Sequence, residues 1–501
     1  MTMAQDARAV EPGAATAMAA EHGVETVDVV AVNARANRPL YKTRAKIHPQ
    51  LAHGTFRRLK WIVLAVTLGI YYVAPWLRWD RGPGAPDQAI LLDFPARRFY
   101  FFMIEIWPQE VYYVTGLLIL AALGLFLVTS VAGRVWCGYT CPQTVWTDLF
   151  IAVERLVEGD RTARIRLDKQ PWRAGKIARK TLKHAIWQVI AVATGGAWVF
   201  YFADAPTLAL GFLRGEAPTI AWLFVGVFAF TTYTLGGLLR EQVCTYMCPW
   251  PRIQAALQDE ETMIVSYDRQ RGEPRGPIRK GTVRDDLGDC IDCRQCVAVC
   301  PAGIDIRDGA QLECISCALC IDACNSVMDK VGVQRDLVRY ATLADLTRAP
   351  GAPRARTRLL RPRTLVYAAL IIIVGLVMLA SLATRSVVET SVLRDRNPLY
   401  VTLSDGAIRN AYTLKILNKR HIETVWHLQV EGLPGAHVDI AAAVAAGEAA
   451  LPVPADTGAS FRVLVTAPAG AALPPSTDIV FTIVDGEVRG REATVFRAPG
   501  S

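Results

Sequence analysis

The sequence predicts an integral membrane α-helical protein with about five spans, interrupted by a small cysteine-rich domain and followed by an all-β domain. Three observations predict it. Five segments reach the length of roughly 20 apolar residues that a bilayer requires. All twelve cysteines lie in three places between residues 137 and 324. After residue 385 the apolar residues fall instead into short alternating or β-branched runs.

The composition agrees. Hydrophobic residues make up 52% of the chain, charged residues only 20%, and the mean hydropathy is +0.24. That balance suits a protein partly dissolved in lipid. The net charge of +9 could suggest nucleic acid. Its basic residues, however, gather beside apolar runs and are not interleaved with exposed aromatics, so membrane topology explains them better.

In chain order, residues 1–38 are rich in Ala, Val and Glu and offer no core, which predicts a disordered tail. The tail has no basic start followed by an apolar run, so it does not read as a signal peptide. A membrane domain over 39–240 holds four spans, near 60–78, 111–131, 184–203 and 219–239. Within it, 94–108 (FPARRFYFFMIEIWP) is aromatic but broken by charge, and reads as an interfacial segment. Residues 241–363 form an extramembrane region, 364–384 a fifth span, and 385–501 a small β-sandwich built from runs such as AYTLKILN and SFRVLVTAP.

Lys and Arg cluster before the first span, between the second and third (RTARIRLDKQPWRAGKIARKTLK) and before the fifth (RARTRLLRPR). The alternate loops carry few. Basic loops face the cytoplasm, which places the N-terminus and residues 241–363 inside and residues 385–501 outside.

The run CIDCRQCVAVC at 290–300 is followed by CISCALCIDAC at 314–324. Three cysteines two residues apart place three thiolates around one face of an iron–sulfur cubane, and the fourth reaches the neighbouring cluster. The expected assignment is therefore crossed: Cys290, Cys293, Cys296 and Cys324 on one [4Fe–4S] cluster, Cys314, Cys317, Cys320 and Cys300 on the other. This predicts a bacterial-type ferredoxin domain near 280–330. Zinc ligation or unliganded thiols are the alternatives, and a disulfide framework would instead spread its cysteines through a secreted domain. Asn325 stands where the ferredoxin pattern has Pro.

Four cysteines remain. WCGYTCP at 136–142 and VCTYMCP at 243–249 repeat a Cys-x-x-x-Cys-Pro motif at the cytoplasmic ends of the second and fourth spans. Residues four apart on a helix share a face, and Pro142 and Pro249 disfavour helix at Cys141 and Cys248. If these spans pack together, Cys137, Cys141, Cys244 and Cys248 converge as a metal or redox site. Soft thiolates accept Cu(I), zinc or iron–sulfur centres, and the spacing does not choose among them. Met247, Met263 and Met328 could supply thioether ligands to copper, Met247 first among them, but read mainly as packing. His184 reads as an interfacial residue rather than a ligand. His421, His427 and His437 decorate the β domain. Asp148 and Glu154 either relay protons or line a solvated helix face. No Gly-rich dinucleotide fingerprint or flavin motif is present, so the electron donor is a separate reductant or quinol.

On RVWCGYTCPQTVWTDLF, EQVCTYMCPWPRIQ, the paired ladder ending CIDACNSVMDKV, and FPARRFYFFMIEIWPQE, the chain resembles the FixG/CcoG/RdxA proteins from about residue 39 onward. These are bacterial cytochrome c oxidase accessory proteins, and Asn325 fits their pattern. The resemblance implies a five-span membrane ferredoxin of the inner membrane whose C-terminal domain is immunoglobulin-like and periplasmic. It implies a role in assembling the cbb3-type oxidase, with copper chaperones and oxidase subunits as partners, and reduction of Cu(II) to Cu(I). By position, Cys137, Cys141, Cys244 and Cys248 become its copper-facing or electron-exchanging residues. Two other readings are a quinol-linked membrane electron carrier and a non-enzymatic assembly scaffold.

Overall fold

The computed structural model describes residues 46–278, 286–348, 358–440 and 450–499 except 83, 472 and 487, together with Val27, Val29 and Ala31. Most of the tail expected over 1–38 thus lies outside the described residues. Val27 nevertheless donates its backbone N–H to the Cys293 carbonyl at 3.1 Å. The chain divides into two compact units, Met1–Trp79 with Gln88–Leu376, and Asp80–Asp87 with Val377–Ser501.

Helix α1 (Thr55–Val73) starts at a Gly54 that supplies no side-chain cap. The Asp322 carboxylate replaces it, accepting the N–H groups of Phe56 at 3.2 Å and Arg57 at 2.7 Å. An anion at this end also complements the helix dipole. The chain then forms a three-stranded antiparallel meander of β1 (Ile90–Asp93), β2 (Arg98–Phe101) and β3 (Ile104–Ile106). The segment 94–108, expected as a plain interfacial stretch, therefore supplies two strands. Arg98 holds it closed, paired with Glu105 at 3.0 Å and stacked over Trp107.

The helices α2 (Tyr112–Ala132), α3 (Val135–Tyr139), α4 (Pro142–Glu158), α5 (Arg161–Lys169), α6 (Ala174–Val199), α7 (Ala205–Arg214) and α8 (Thr219–Thr232) follow. Two π-helical turns, Tyr233–Leu239 and Val243–Met247, lead into α9 (Trp250–Leu257). Among the described residues, four helical segments are long and apolar enough to cross a membrane: Thr55–Trp76, Pro108–Ala132, Thr219–Leu239 and Pro362–Ala383. The third expected span, 184–203, falls mostly within α6 and does not stand out in this way. That helix opens with the basic AGKIARKTLK and buries Lys176, Lys183 and Thr194. It packs on α8 so tightly that a Cβ on Gly195 would lie 2.6 Å from the Val225 carbonyl oxygen.

Asp148 and Glu154, read from the sequence as proton relays or a solvated face, do not line a solvated face. Both are buried on α4 and ion-paired. The Arg57 guanidinium grips Asp148 with two bonds of 2.9 Å, and Glu154 meets Arg240 at 2.7 Å and Arg164 at 3.1 Å. Burial alone would raise the Asp148 pKa, but the charges of Lys60 and Arg57 outweigh it and hold the carboxyl below its usual range.

The cysteine-rich domain is wider than 280–330. Strand β4 (Ile264–Tyr267) pairs antiparallel with β5 (Val338–Ala341), and the two flank the short helices α10 (Arg269–Gly272) and α11 (Gln295–Ala298) and the longer α12 (Leu319–Val331). Val265, Tyr267, Val338 and Leu337 pack with Ile291, Val297, Ile321 and Met328 in one apolar core. A short α13 (Leu343–Leu346) then precedes α14 (Pro362–Ala383).

The second unit contains two antiparallel sheets. One orders β10 (His437–Ile440), β12 (Gly458–Ala467), β8 (Ile408–Asn418) and β6 (Val388–Arg394), with β7 (Val401–Thr402) also on β8. The other orders β11 (Ala450–Val453), β9 (Thr424–Glu431), β13 (Ser476–Asp485) and β14 (Val488–Arg497). Alternate residues of β8 and β9 point inward, so Tyr412, Leu414, Ile416 and Trp426 meet Phe481 and Phe496 in a closed core. His427 and His437 sit on outer faces, while His421 pairs with Asp456 at 2.6 Å.

Candidate functional site

The two cysteine runs repeat in backbone as well as in sequence. Asp292 and Arg294 in the first run, and Ser316 and Ala318 in the second, all have φ between 53° and 61°. Left-handed conformations in non-glycine residues are costly and collect at functional sites. Here they curl each loop so that its backbone N–H groups turn toward sulfur, as Gln295 does to Cys293 and Ser316 to Cys314. Such concave nests of N–H groups favour anions.

The eight thiols line two cavities. Cys290, Cys293, Cys296 and Cys324 line one, with Arg294, Arg307, Met328 and Leu337. Cys300, Cys314, Cys317 and Cys320 line the other, which Cys296 also touches. The crossing follows from the helices. Cys320 and Cys324 stand one turn apart on α12, which runs between the cavities, and Cys300 follows the end of α11 in the same way.

Burial pushes the Cys300 and Cys324 thiols up to about 12 and the Cys314 thiol up to about 11. Nearby thiolates add to the rise, and the backbone N–H groups oppose it. Without a metal these thiols stay protonated, and a positively charged metal centre bound there would displace their protons. No three of the twelve thiols lie within 4.8 Å of one another among the described residues. A single tetrahedral ion with metal–sulfur bonds of about 2.3 Å would draw its ligands closer. The donor set and its spacing fit a larger iron–sulfur centre.

The membrane-edge thiols come together too. Cys137 lies in the middle of α3, and Cys244 lies in the second π-helical turn. Cys141 (ψ 127°) and Cys248 (ψ 122°) are extended, as the prolines after them require. π-turns of this kind recur at functional sites. The Cys244 thiol is pushed up to about 12 by burial and then by the charges of Cys141, Cys137 and Cys248. Cys137 is pushed up to about 11 by burial and Cys141, against the opposing charge of Arg134. All four therefore share one neighbourhood.

The first edge loop is seated on the second cysteine run. The Tyr139 hydroxyl donates to the Cys317 carbonyl at 3.1 Å, and Tyr340 donates to the Ser316 carbonyl at 2.6 Å. The Arg134 guanidinium donates to the carbonyls of Leu312, Cys314 (3.3 Å) and Pro251 (2.6 Å). A Cβ on Gly138 would lie 2.6 Å from the Ile315 carbonyl oxygen, so only glycine permits this approach. Cys137 itself donates to the Gln254 amide oxygen at 3.2 Å.

Comparison with known proteins fits this geometry. A 4Fe–4S dicluster domain matches residues 239–343, a 4Fe–4S binding domain matches 114–158, and the Ig-like fold at the C-terminus of FixG matches 378–499. The nitrogen fixation protein FixG of Rhizobium meliloti is 50% identical over 95% of this chain and 96% of its own. The chain belongs to the FixG family. Protein RdxA of Cereibacter sphaeroides is 53% identical over 87% of this chain and 92% of its own, and protein RdxB of the same organism 52% over 92% and 98%.

This FixG-family chain is thus an iron–sulfur electron-transfer protein with apolar helices and an Ig-like C-terminal domain. The dicluster match, like the β4–β5 pair, extends beyond 280–330. Sequence reasoning passed over Arg134, Gly138, Tyr139 and Arg307. Gly138 was visible inside CGYTCP as a glycine between two ligand-type residues, whereas no local signal marked Arg307 as a cavity wall. Of the methionines, Met328 lines the first cavity, while Met247 is exposed. His184 bonds the Tyr233 hydroxyl at 2.8 Å, far in sequence from any cysteine run.

Proposed function

We propose that this FixG-family chain is a membrane-bound iron–sulfur oxidoreductase that passes single electrons to Cu(II), yielding Cu(I) for copper insertion during cbb3-type cytochrome c oxidase assembly. The observation that carries the reading is the seating of the Cys137–Cys141 loop on the second cysteine run, which joins the ladder to a second set of soft ligands. In this reading two [4Fe–4S] clusters, held by Cys290, Cys293, Cys296 and Cys324 and by Cys300, Cys314, Cys317 and Cys320, supply one-electron storage. Arg307 and Arg134 set the local charge at the two sites. Gln254 orients the Cys137 thiol. Cys137, Cys141, Cys244 and Cys248 receive the copper, and their thiolates favour the cuprous product.

The basic loops support an arrangement with the N-terminus and the ferredoxin region on the cytoplasmic side of a bacterial inner membrane, about five spans and a periplasmic Ig-like domain. The partners are then the oxidase subunits and copper chaperones, with a quinol or a soluble reductant as donor. Chemically reduced protein mixed with excess Cu(II) should turn it over to Cu(I), and Cys137→Ala with Cys244→Ala should slow this at least tenfold. An unchanged rate would remove the copper assignment.

The match of a 4Fe–4S binding domain to 114–158 favours a second reading, in which the edge thiols hold an iron–sulfur centre of their own. Iron analysis separates them: about eight irons per chain for two four-iron clusters, about twelve for three.

A further inference from the structure

The two cysteine sites differ in what surrounds them. Both cavities are walled by residues of the ferredoxin domain, Tyr267, Ile291, Met328 and Val338 among those of the first and Pro301, Ile304 and Leu319 among those of the second. The difference lies in what packs on each cysteine loop. The second loop, Leu312–Cys317, receives Arg134, Gly138 and Tyr139 on its backbone. The other edge motif approaches the same side, because Cys244 lines a cavity shared with Pro301, Ala302 and Ile315. Both Cys-x-x-x-Cys-Pro motifs therefore meet the loops of one half of the ladder, from outside its cavity.

We propose that the Cys300/Cys314/Cys317/Cys320 site is the exit of the electron path, and that Gly138, Tyr139 and Arg134 are positioning residues that hold the edge thiols against it. The first site is then the far end, reached first by the donor. The proposal rests on the two-cluster reading and deepens it. One electron crosses to a one-electron acceptor such as a cupric ion; no bond forms or breaks and no proton moves. What the chain must supply is a short, fixed separation.

Each positioning residue does this differently. Gly138 permits backbone contact, because any Cβ would have to push the Ile315–Cys317 segment away. Tyr139 fixes the lateral position through the Cys317 carbonyl, and Arg134 ties Leu312 and Cys314 to Pro251. Misplacement by about 1 Å in a preorganised site can cost on the order of 100-fold in rate.

The test uses the full-length protein with its clusters, reduced chemically, with Gly138→Ala, Tyr139→Phe, and Leu337→Ala as a control on the first cavity. Low-temperature electron paramagnetic resonance should show both cluster signals in each variant. In Gly138→Ala and Tyr139→Phe, only the signal that is missing from Cys314→Ser should change shape. In Leu337→Ala, the signal missing from Cys290→Ser should change. Oxidation by Cu(II) should slow on the order of 100-fold in Gly138→Ala and less in Tyr139→Phe. If Gly138→Ala fails to assemble its clusters, Tyr139→Phe decides. A change confined to the signal missing from Cys290→Ser overturns the proposal, as does a Gly138→Ala protein with both signals and wild-type rates. The spectral result does not depend on copper being the acceptor. Absence of two signals in the unsubstituted protein would instead sink the two-cluster reading beneath it.

Discussion

The two halves of the cysteine ladder share one backbone and differ in what packs on their loops. Asp292 and Arg294 are matched turn for turn by Ser316 and Ala318. Both cavities close on apolar neighbours, Leu337 and Val338 in the first and Ile304 and Leu319 in the second. Yet the loop of the second is also capped from outside by the Arg134–Tyr139 loop at the end of a long apolar helix. Nearby, the membrane side is fastened by buried charge, with Arg57 gripping Asp148 and Asp322 capping α1. A duplicated motif thus yields two equivalent ligand sets and two unequal sites. Symmetry of ligation is local; the role of each half is set by what packs against it.

The largest expected effect tests the ligand sets. Replacing Cys324 by Ser should remove the same cluster as Cys290→Ser, although Cys324 belongs to the other run, and iron should fall by about half. If Cys324→Ser instead resembled Cys314→Ser in its residual spectrum, the crossing would be broken and the comparison with it.

The next effect concerns how the second half is fastened. Arg57→Ala leaves the Asp148 carboxylate buried without its bidentate partner and should cost about 3–5 kcal/mol, read as a lower unfolding midpoint in detergent. The same pair predicts an acid response. Because the folded-state pKa of Asp148 is depressed, its contribution is present above the usual carboxylate range and is lost as pH falls below it. Acidification below about pH 4 should therefore loosen the membrane side, and Asp148→Asn should flatten that part of the pH profile.

Much of this could be read in the sequence, and the failures have physical causes. The ladder was legible because cubane ligation fixes cysteine spacing, and the prolines after Cys141 and Cys248 forecast the extended backbone found there. Apolar length revealed four of the helices long enough to span. It marks α6 less clearly, because that helix opens with basic residues and buries Lys183 and Thr194. It also missed the meander at 90–106, whose strands of three or four residues are too short to show a period. The ion pairs of Asp148 and Glu154 join residues far apart in sequence, so an isolated reading of α4 gave them a wet face. The docking of Gly138 on Ile315 is likewise a long-range fact, marked locally only by a glycine.

A smaller effect sharpens the contrast between the two sites. Arg307 is buried at the first cavity, bonded to Asp305 and Asp292, while Arg134 serves the second. Arg307→Gln should lower the midpoint potential of the first cluster alone and Arg134→Gln that of the second alone. Each shift should be about 60 mV, a factor of ten in a one-electron equilibrium. Redox titration followed by electron paramagnetic resonance reads both, and equal shifts of both clusters in either variant would erase the distinction.

The measurement closest to the central claim is low-temperature electron paramagnetic resonance of the anaerobically reduced protein, before and after one addition of Cu(II). Two interacting iron–sulfur signals should be present at first, and the cupric ion should extinguish them while its own signal vanishes. A protein with no such signals, or one in which the cupric spectrum persists beside fully reduced clusters, would contradict an electron path from the ladder to the membrane-edge thiols.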